Sequence, residues 1–133
     1  MHASLGCLWG ADMNSILLYE PDPIKIPYLK FLLDLAHIQC TAVQGGDELL
    51  NRLELDQYNI GCYDLVVLNS LDDLVLEDRL SVIVKSSQVP IICMTSHEEN
   101  IPNSVKSAIE FCSQHIFLTC IQRKLQQQSE EIA

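Results

Sequence analysis

The sequence predicts an α/β fold, a three-layer, doubly wound sandwich on a five-stranded parallel sheet, and three observations carry that expectation. Four short runs are almost continuously apolar: ILLY at 16–19, LVVL at 65–68, VPIICM at 89–94 and IFL at 116–118. A strand that is apolar at every position, rather than at every second one, is buried on both faces. The segments between the runs repeat their apolar residues at helical spacing. The chain has 133 residues, 48% hydrophobic and 20% charged, which is material for one core and not for two. Strands alternating with helices pack as right-handed βαβ units, which puts helices on both faces of the sheet.

Residues 1–13, MHASLGCLWGADM, are read as an N-terminal tail or extension with Trp9 its one bulky anchor, and residues 14–133 as a single domain. The strand at 16–19 leads into a helix over 24–36, in which Leu29, Leu32, Leu33 and Ala36 share one face and Lys30, Asp34 and His37 the opposite one. The run IQCTAV at 38–43 mixes Gln39 and Thr41 with apolar neighbours, which suits an edge strand. Gln44-Gly45-Gly46 is a tight turn, after which Asp47 is placed to cap a short helix that turns Leu49, Leu50 and Leu53 inward. Leu76, Leu80, Ile83 and Val84 mark the third helix. Pro102 fits a first helical turn, and Val105, Ala108, Ile109 and Cys112 follow at i, i+3, i+4 and i+7, which predicts the fourth. The run at 116–118 is the expected fifth strand. A glutamine-rich last helix then carries a narrow stripe of Ile121, Leu125 and Ile132.

Composition excludes some functions. A net charge of −10 and a pI of about 4.6 repel a phosphate backbone or an anionic membrane, so neither nucleic acid nor a membrane is an expected partner. The six cysteines (Cys7, Cys40, Cys62, Cys93, Cys112, Cys120) show no C-x-x-C and no zinc spacing. Several sit in apolar runs, as buried thiols do in a reducing compartment. There is no basic-then-apolar secretory start and no run of about 20 apolar residues. The expectation is a cytoplasmic protein.

Open parallel sheets bind ligands beyond the carboxyl ends of their strands. The residues there are expected to be Glu20-Pro21-Asp22-Pro23, Asn69-Ser70, Thr95-Ser96-His97 and Thr119-Cys120. These residues and their strands carry a resemblance. ILLYEPDP is similar to the ILxVDDxP opening of bacterial response-regulator receiver domains, YDLVVLN to their YDLVxxD strand, VPIICMTS to their PIIxxTA strand and HIFLTC to their DYLxKP strand. The chain thus resembles a CheY-like receiver domain from residue 15 to about 131, and the resemblance implies a flavodoxin-like strand order 2-1-3-4-5.

The resemblance also implies a degenerate phosphorylation pocket made of Glu20, Asp22, Asn69, Thr95 and Cys120. Asn69 stands at the phosphoacceptor position, where a neutral amide cannot form an acyl phosphate. Glu20 matches the first acidic position, but Pro21 replaces the second, which leaves Glu20 and Asp22 as weak metal candidates. No cofactor is expected, Mg²⁺ included, because that ion demands near-octahedral oxygen ligands. Thr95 keeps the hydroxyl position, Cys120 replaces the lysine and Phe117 matches the aromatic switch residue. The function so implied is a non-enzymatic, phosphorylation-independent protein-interaction module in two-component-type signal transduction. The alternative is an active phosphorelay receiver using a displaced aspartate at Asp22, Asp72 or Asp73. A third reading, a small α/β enzyme or redox protein, needs a reactive thiol at Cys120, yet no cationic neighbour in sequence lowers its pKa. The partner is a protein, a histidine kinase or an output protein. The interaction surface implied is the fourth helix, fifth strand and fifth helix, with Val105, Ile109, Ile121, Leu125 and Ile132 as its candidate residues and homodimerisation as one use.

Overall fold

A computed structural model of the chain describes residues 14–58, 63–70, 79–87, 89–94, 103–106 and 108–132. The expectations for the segment 1–13 and for Asp72, Asp73, Leu76, Thr95 and Pro102 lie outside the described residues, as do the side chains of Leu80, Val105 and Ile132. The elements, in chain order, are β1 (Asn14–Tyr19), α1 (Ile26–Leu35), β2 (Ile38–Val43), α2 (Gly46–Tyr58), β3 (Leu65–Leu68) and α3 (Arg79–Ser86). They continue with β4 (Ile91–Met94), α4 (Asn103–Lys106), β5 (Glu110–Cys112), a 3₁₀ turn (Gln114–Ile116) and α5 (Phe117–Ile132). The five strands form one sheet in the order β2-β1-β3-β4-β5, with parallel pairing throughout. That is the flavodoxin-like order.

The continuous apolar runs have the predicted cause. All four residues of β3 and all four of β4 are buried, and in β1 so are Ile16, Leu17, Leu18 and Tyr19. Successive side chains go to opposite faces of a strand. Leu17, Tyr19, Val66, Leu68 and Cys93 therefore pack with Leu49 and Leu53 of α2 and Ile83 of α3. Ile16, Leu18, Val67, Ile92 and Met94 pack on the other side with Leu29 and Leu33 of α1 and with Phe117, Ile121 and Leu125 of α5. Two apolar layers sandwich the sheet. The strand β2 is an edge, buried at Ile38 and Val43 and half-exposed or exposed between them, as its mixed composition predicts.

The helices follow local chemistry. Pro27 sits in the first turn of α1, where its missing N–H costs nothing. His37 closes that helix at φ 61°, the left-handed position usual one residue past a helix end, and its N–H reaches the Asp34 carbonyl. Helix α2 begins at Gly46, so Asp47 lies inside the first turn rather than at the cap. There Asp47 and Glu48 complement the helix dipole, and the Glu48 carboxylate accepts from the Gln44 N–H at 3.4 Å.

Two expectations fail together. The spacing of Val105, Ala108, Ile109 and Cys112 predicts a helix through Cys112, but α4 is a single turn ending at Lys106. The chain then bends and forms β5, with Glu110, Phe111 and Cys112 opposite Ile92, Cys93 and Met94. Pairing with β4 satisfies backbone groups that would otherwise remain open at a sheet edge. The run at 116–118 is accordingly not a strand. It ends the 3₁₀ turn and starts α5, where Phe117, Cys120, Ile121 and Leu125 are buried at helical spacing. Periodicity cannot separate a strand from a helical turn in a three-residue window.

Candidate functional site

The carboxyl ends of β1 and β3 adjoin each other because Tyr19 pairs with Leu68. The Glu20 N–H donates to the Val43 carbonyl and the Asn69 N–H to the Tyr19 carbonyl, each at 2.9 Å, so both backbones continue the ladder one residue past the strands. Their side chains are held in fixed places by this. Glu20 and Asn69 are the two buried polar side chains among the described residues, 2% and 7% exposed.

A buried carboxylate is costly unless donors replace its lost water. Glu20 has such donors. The Asn69 Nδ2 group donates to Oε1, and the Asp22 backbone N–H donates to Oε2 at 2.9 Å. Asp22 is itself committed to the loop: its Oδ1 accepts the Ile24 N–H at 3.0 Å, and its carbonyl accepts the Lys25 N–H at 3.1 Å. This turn leads the chain into α1. The structure therefore brings Glu20, Asp22 and Asn69 into one connected network. Among the described residues, no group of three or more His, Cys, Asp or Glu side chains is placed to hold a metal ion.

Cys120 and Phe117 do not stand where the sequence reading put them. Both are in the first turns of α5, buried in the apolar layer it shares with α1, and neither ends a strand. The residues that follow β5 are Ser113 and Gln114. No lysine is found there, and Cys120 does not replace one. The triplet Glu110-Phe111-Cys112 is exposed at its first residue and half-buried at the next two, with Phe111 against one core layer and Cys112 against the other, as a short edge strand is.

The environment of Cys120 does not suit a reactive thiol. It is 3% exposed and hydrogen-bonds with the Cys112 thiol. Burial, and then that hydrogen bond, push the Cys112 thiol up to about 12. Burial pushes the Cys40 thiol up to about 11, against a nearby Lys30 that pulls the other way. The candidate interaction residues Ile109, Ile121 and Leu125 are also buried, at 6%, 0% and 4% exposure, and belong to the two core layers. They hold the sandwich together and offer no surface to a partner.

No family model matches the chain. No curated protein matches it in sequence. Solved structures do match in fold. A CheY-like response-regulator receiver domain from Methylobacillus flagellatus is similar with a TM-score of 0.63 at 16% identity, over 86% of this chain and 98% of that one. The receiver domain of a sensor histidine kinase from Pseudomonas aeruginosa, with a magnesium ion in its active-site cleft, is similar at 0.61 and 20% identity, over 86% and 95%. The receiver domain of a histidine kinase from Arabidopsis thaliana, complexed with Mg²⁺ and beryllofluoride, is similar at 0.61 and 13% identity, over 86% and 90%.

Proposed function

From the receiver fold these comparisons establish, we propose that the protein is a receiver-like module in two-component-type signalling that acts by binding other proteins, without phosphorylation and without catalysing a reaction. The observation that carries this reading is the Asn69 amide donating to Glu20. At the position where the resemblance places a nucleophilic carboxylate, the chain has a neutral group turned toward the neighbouring acid, so the site satisfies itself. The donor set also fits Mg²⁺ poorly. Both Glu20 oxygens already accept N–H groups, and Asp22 has one oxygen in its own turn, whereas that ion needs several freely placed oxygens. We place the protein in the cytoplasm. No helix of the described residues is long and apolar enough to cross a membrane, and the net charge of −10 disfavours nucleic acid. The partner is a protein of the same signalling system, a histidine kinase or an output protein.

Thermal shift and intact mass, measured with Mg²⁺, with Mg²⁺ plus beryllofluoride and with Mg²⁺ plus acetyl phosphate, test the proposal. A ligand of the folded state at a hundredfold excess over its Kd raises stability by about 2.7 kcal/mol, which is easily seen. The expected result is no shift and no added mass. A phosphate adduct or stabilisation by beryllofluoride would instead establish a phosphoacceptor other than Asn69.

A further inference from the structure

Helix α1 has a second apolar face. Leu29 and Leu33 face the sheet, while Ile24 in the entry turn and Tyr28, Phe31 and Leu35 on the helix stay 84%, 63%, 60% and 63% exposed. Lys30, Asp34 and His37, expected to form the outer face, are exposed on one flank of this stripe. Four such side chains expose roughly 600 Å² of largely apolar surface, the upper end for a patch on a monomeric protein.

The arrangement of the stripe identifies what covers it. Its steps are four, three and four residues, the spacing of a helix-to-helix seam, and its order is aliphatic, aromatic, aromatic, aliphatic. Spacing and chemistry both read the same from either end. A two-fold axis across the middle of the stripe therefore maps it onto itself, which is the property an isologous interface requires. Set antiparallel, Tyr28 meets the second copy's Phe31 and Ile24 meets its Leu35. Aromatic rings then stack at the centre and aliphatic chains close the ends. Two such stripes would remove about 1,200 Å² from water, the lower edge of a specific interface. Local charge permits the approach despite the acidic chain, because the residues from 24 to 35 carry Lys25 and Lys30 against Asp34.

We propose that α1 is the contact face of an antiparallel homodimer centred on Tyr28 and Phe31. This surface is independent of the Glu20–Asn69 network and stands whether or not the protein is phosphorylated. Sedimentation equilibrium of the full chain, from about 1 µM to several hundred µM, tests it. A concentration-dependent dimer is expected for the wild type, and Phe31→Lys should weaken it by at least about 30-fold, the effect of losing a central anchor. Val82→Lys, at an apolar position on α3 that is 48% exposed, should leave it unchanged. Mixing Tyr28→Lys chains with Phe31→Glu chains sets the introduced lysine of one copy against the introduced glutamate of the other and keeps one Tyr28–Phe31 pair, but only in the antiparallel arrangement, so the mixture should associate more tightly than either variant alone. Circular dichroism checks that each variant is folded, which exposed positions on an intact helix should allow. A wild type that stays monomeric throughout overturns the proposal. So does a dimer that survives Phe31→Lys, which would place the contact elsewhere, or a mixture of Tyr28→Lys and Phe31→Glu no tighter than either variant alone.

Discussion

The ends of β3 and β5 show two different relations between sequence and structure. At β3 the residue after the apolar run, Asn69, is where its strand says it should be, and it meets Glu20 because β1 and β3 are in register. At β5 the expected strand lies six residues too late, so the sequence puts Cys120 in the pocket and Phe117 at the switch position, and both are found in a helix. The difference is physical. Strand β3 lies between two neighbours and under two layers of helices, so every residue must be apolar and the pattern is unambiguous. Strand β5 has three residues and pairs on one side only, with β4. Its burial varies along its length, and the pairing of β4, which its own sequence does not record, decides its place.

The largest expected effect tests the reassigned end. Phe117→Ala should cost about 3–5 kcal/mol in urea unfolding, because Phe117 is a core aromatic of α5. Ile116→Ala, one residue away and 42% exposed, should cost under about 1 kcal/mol. In a strand buried on both faces the two would cost similar amounts, and such a result would break the distinction drawn above.

Much of the fold was legible for the same reason that β3 was. The runs at 16–19, 65–68 and 89–94 are long enough to show burial on both faces, and Gln39 and Thr41 marked β2 as an edge. Glu20, Asp22 and Asn69 follow from strand ends and do meet. The outer face of α1 was not legible, because Tyr28, Phe31 and Leu35 look like core residues until the sheet shows that Leu29 and Leu33 already fill that side. Nor was the orientation of the Asn69 amide, which depends on a neighbour 49 residues away.

A smaller effect sharpens the pocket side of the comparison. Asn69→Ala removes the donor to Glu20 Oε1 and leaves a buried carboxylate half-satisfied, which should cost about 2–3 kcal/mol. Replacing both residues, as Glu20→Leu with Asn69→Leu, removes the buried charge along with its donor and should cost less than Asn69→Ala alone. Chemical denaturation of the wild type, Glu20→Leu, Asn69→Leu and the double variant at one pH measures the coupling. If the costs simply add, Asn69 is packing filler and the self-satisfied site is not what holds these two strand ends together.

The smallest effect belongs to the thiols on the other side. Cys112 and Cys40 are held protonated in the folded state to about 12 and about 11, above the ordinary thiol value. The unfolded chain therefore loses these protons first, and above pH 9 it binds fewer protons than the folded one. Stability then falls as pH rises, since its slope follows the protons bound in the unfolded state minus those in the folded state. The contribution is intact below the unfolded thiol pKa and is lost as pH climbs through about 11 to about 12. Lysines and tyrosines titrate in the same range, so a variant isolates the effect. Cys112→Ala should flatten the decline in urea midpoint between pH 8.5 and pH 10.5 while changing little below it, and a slope equal to that of the wild type would mean that neither burial nor the Cys120 contact holds the Cys112 proton in solution.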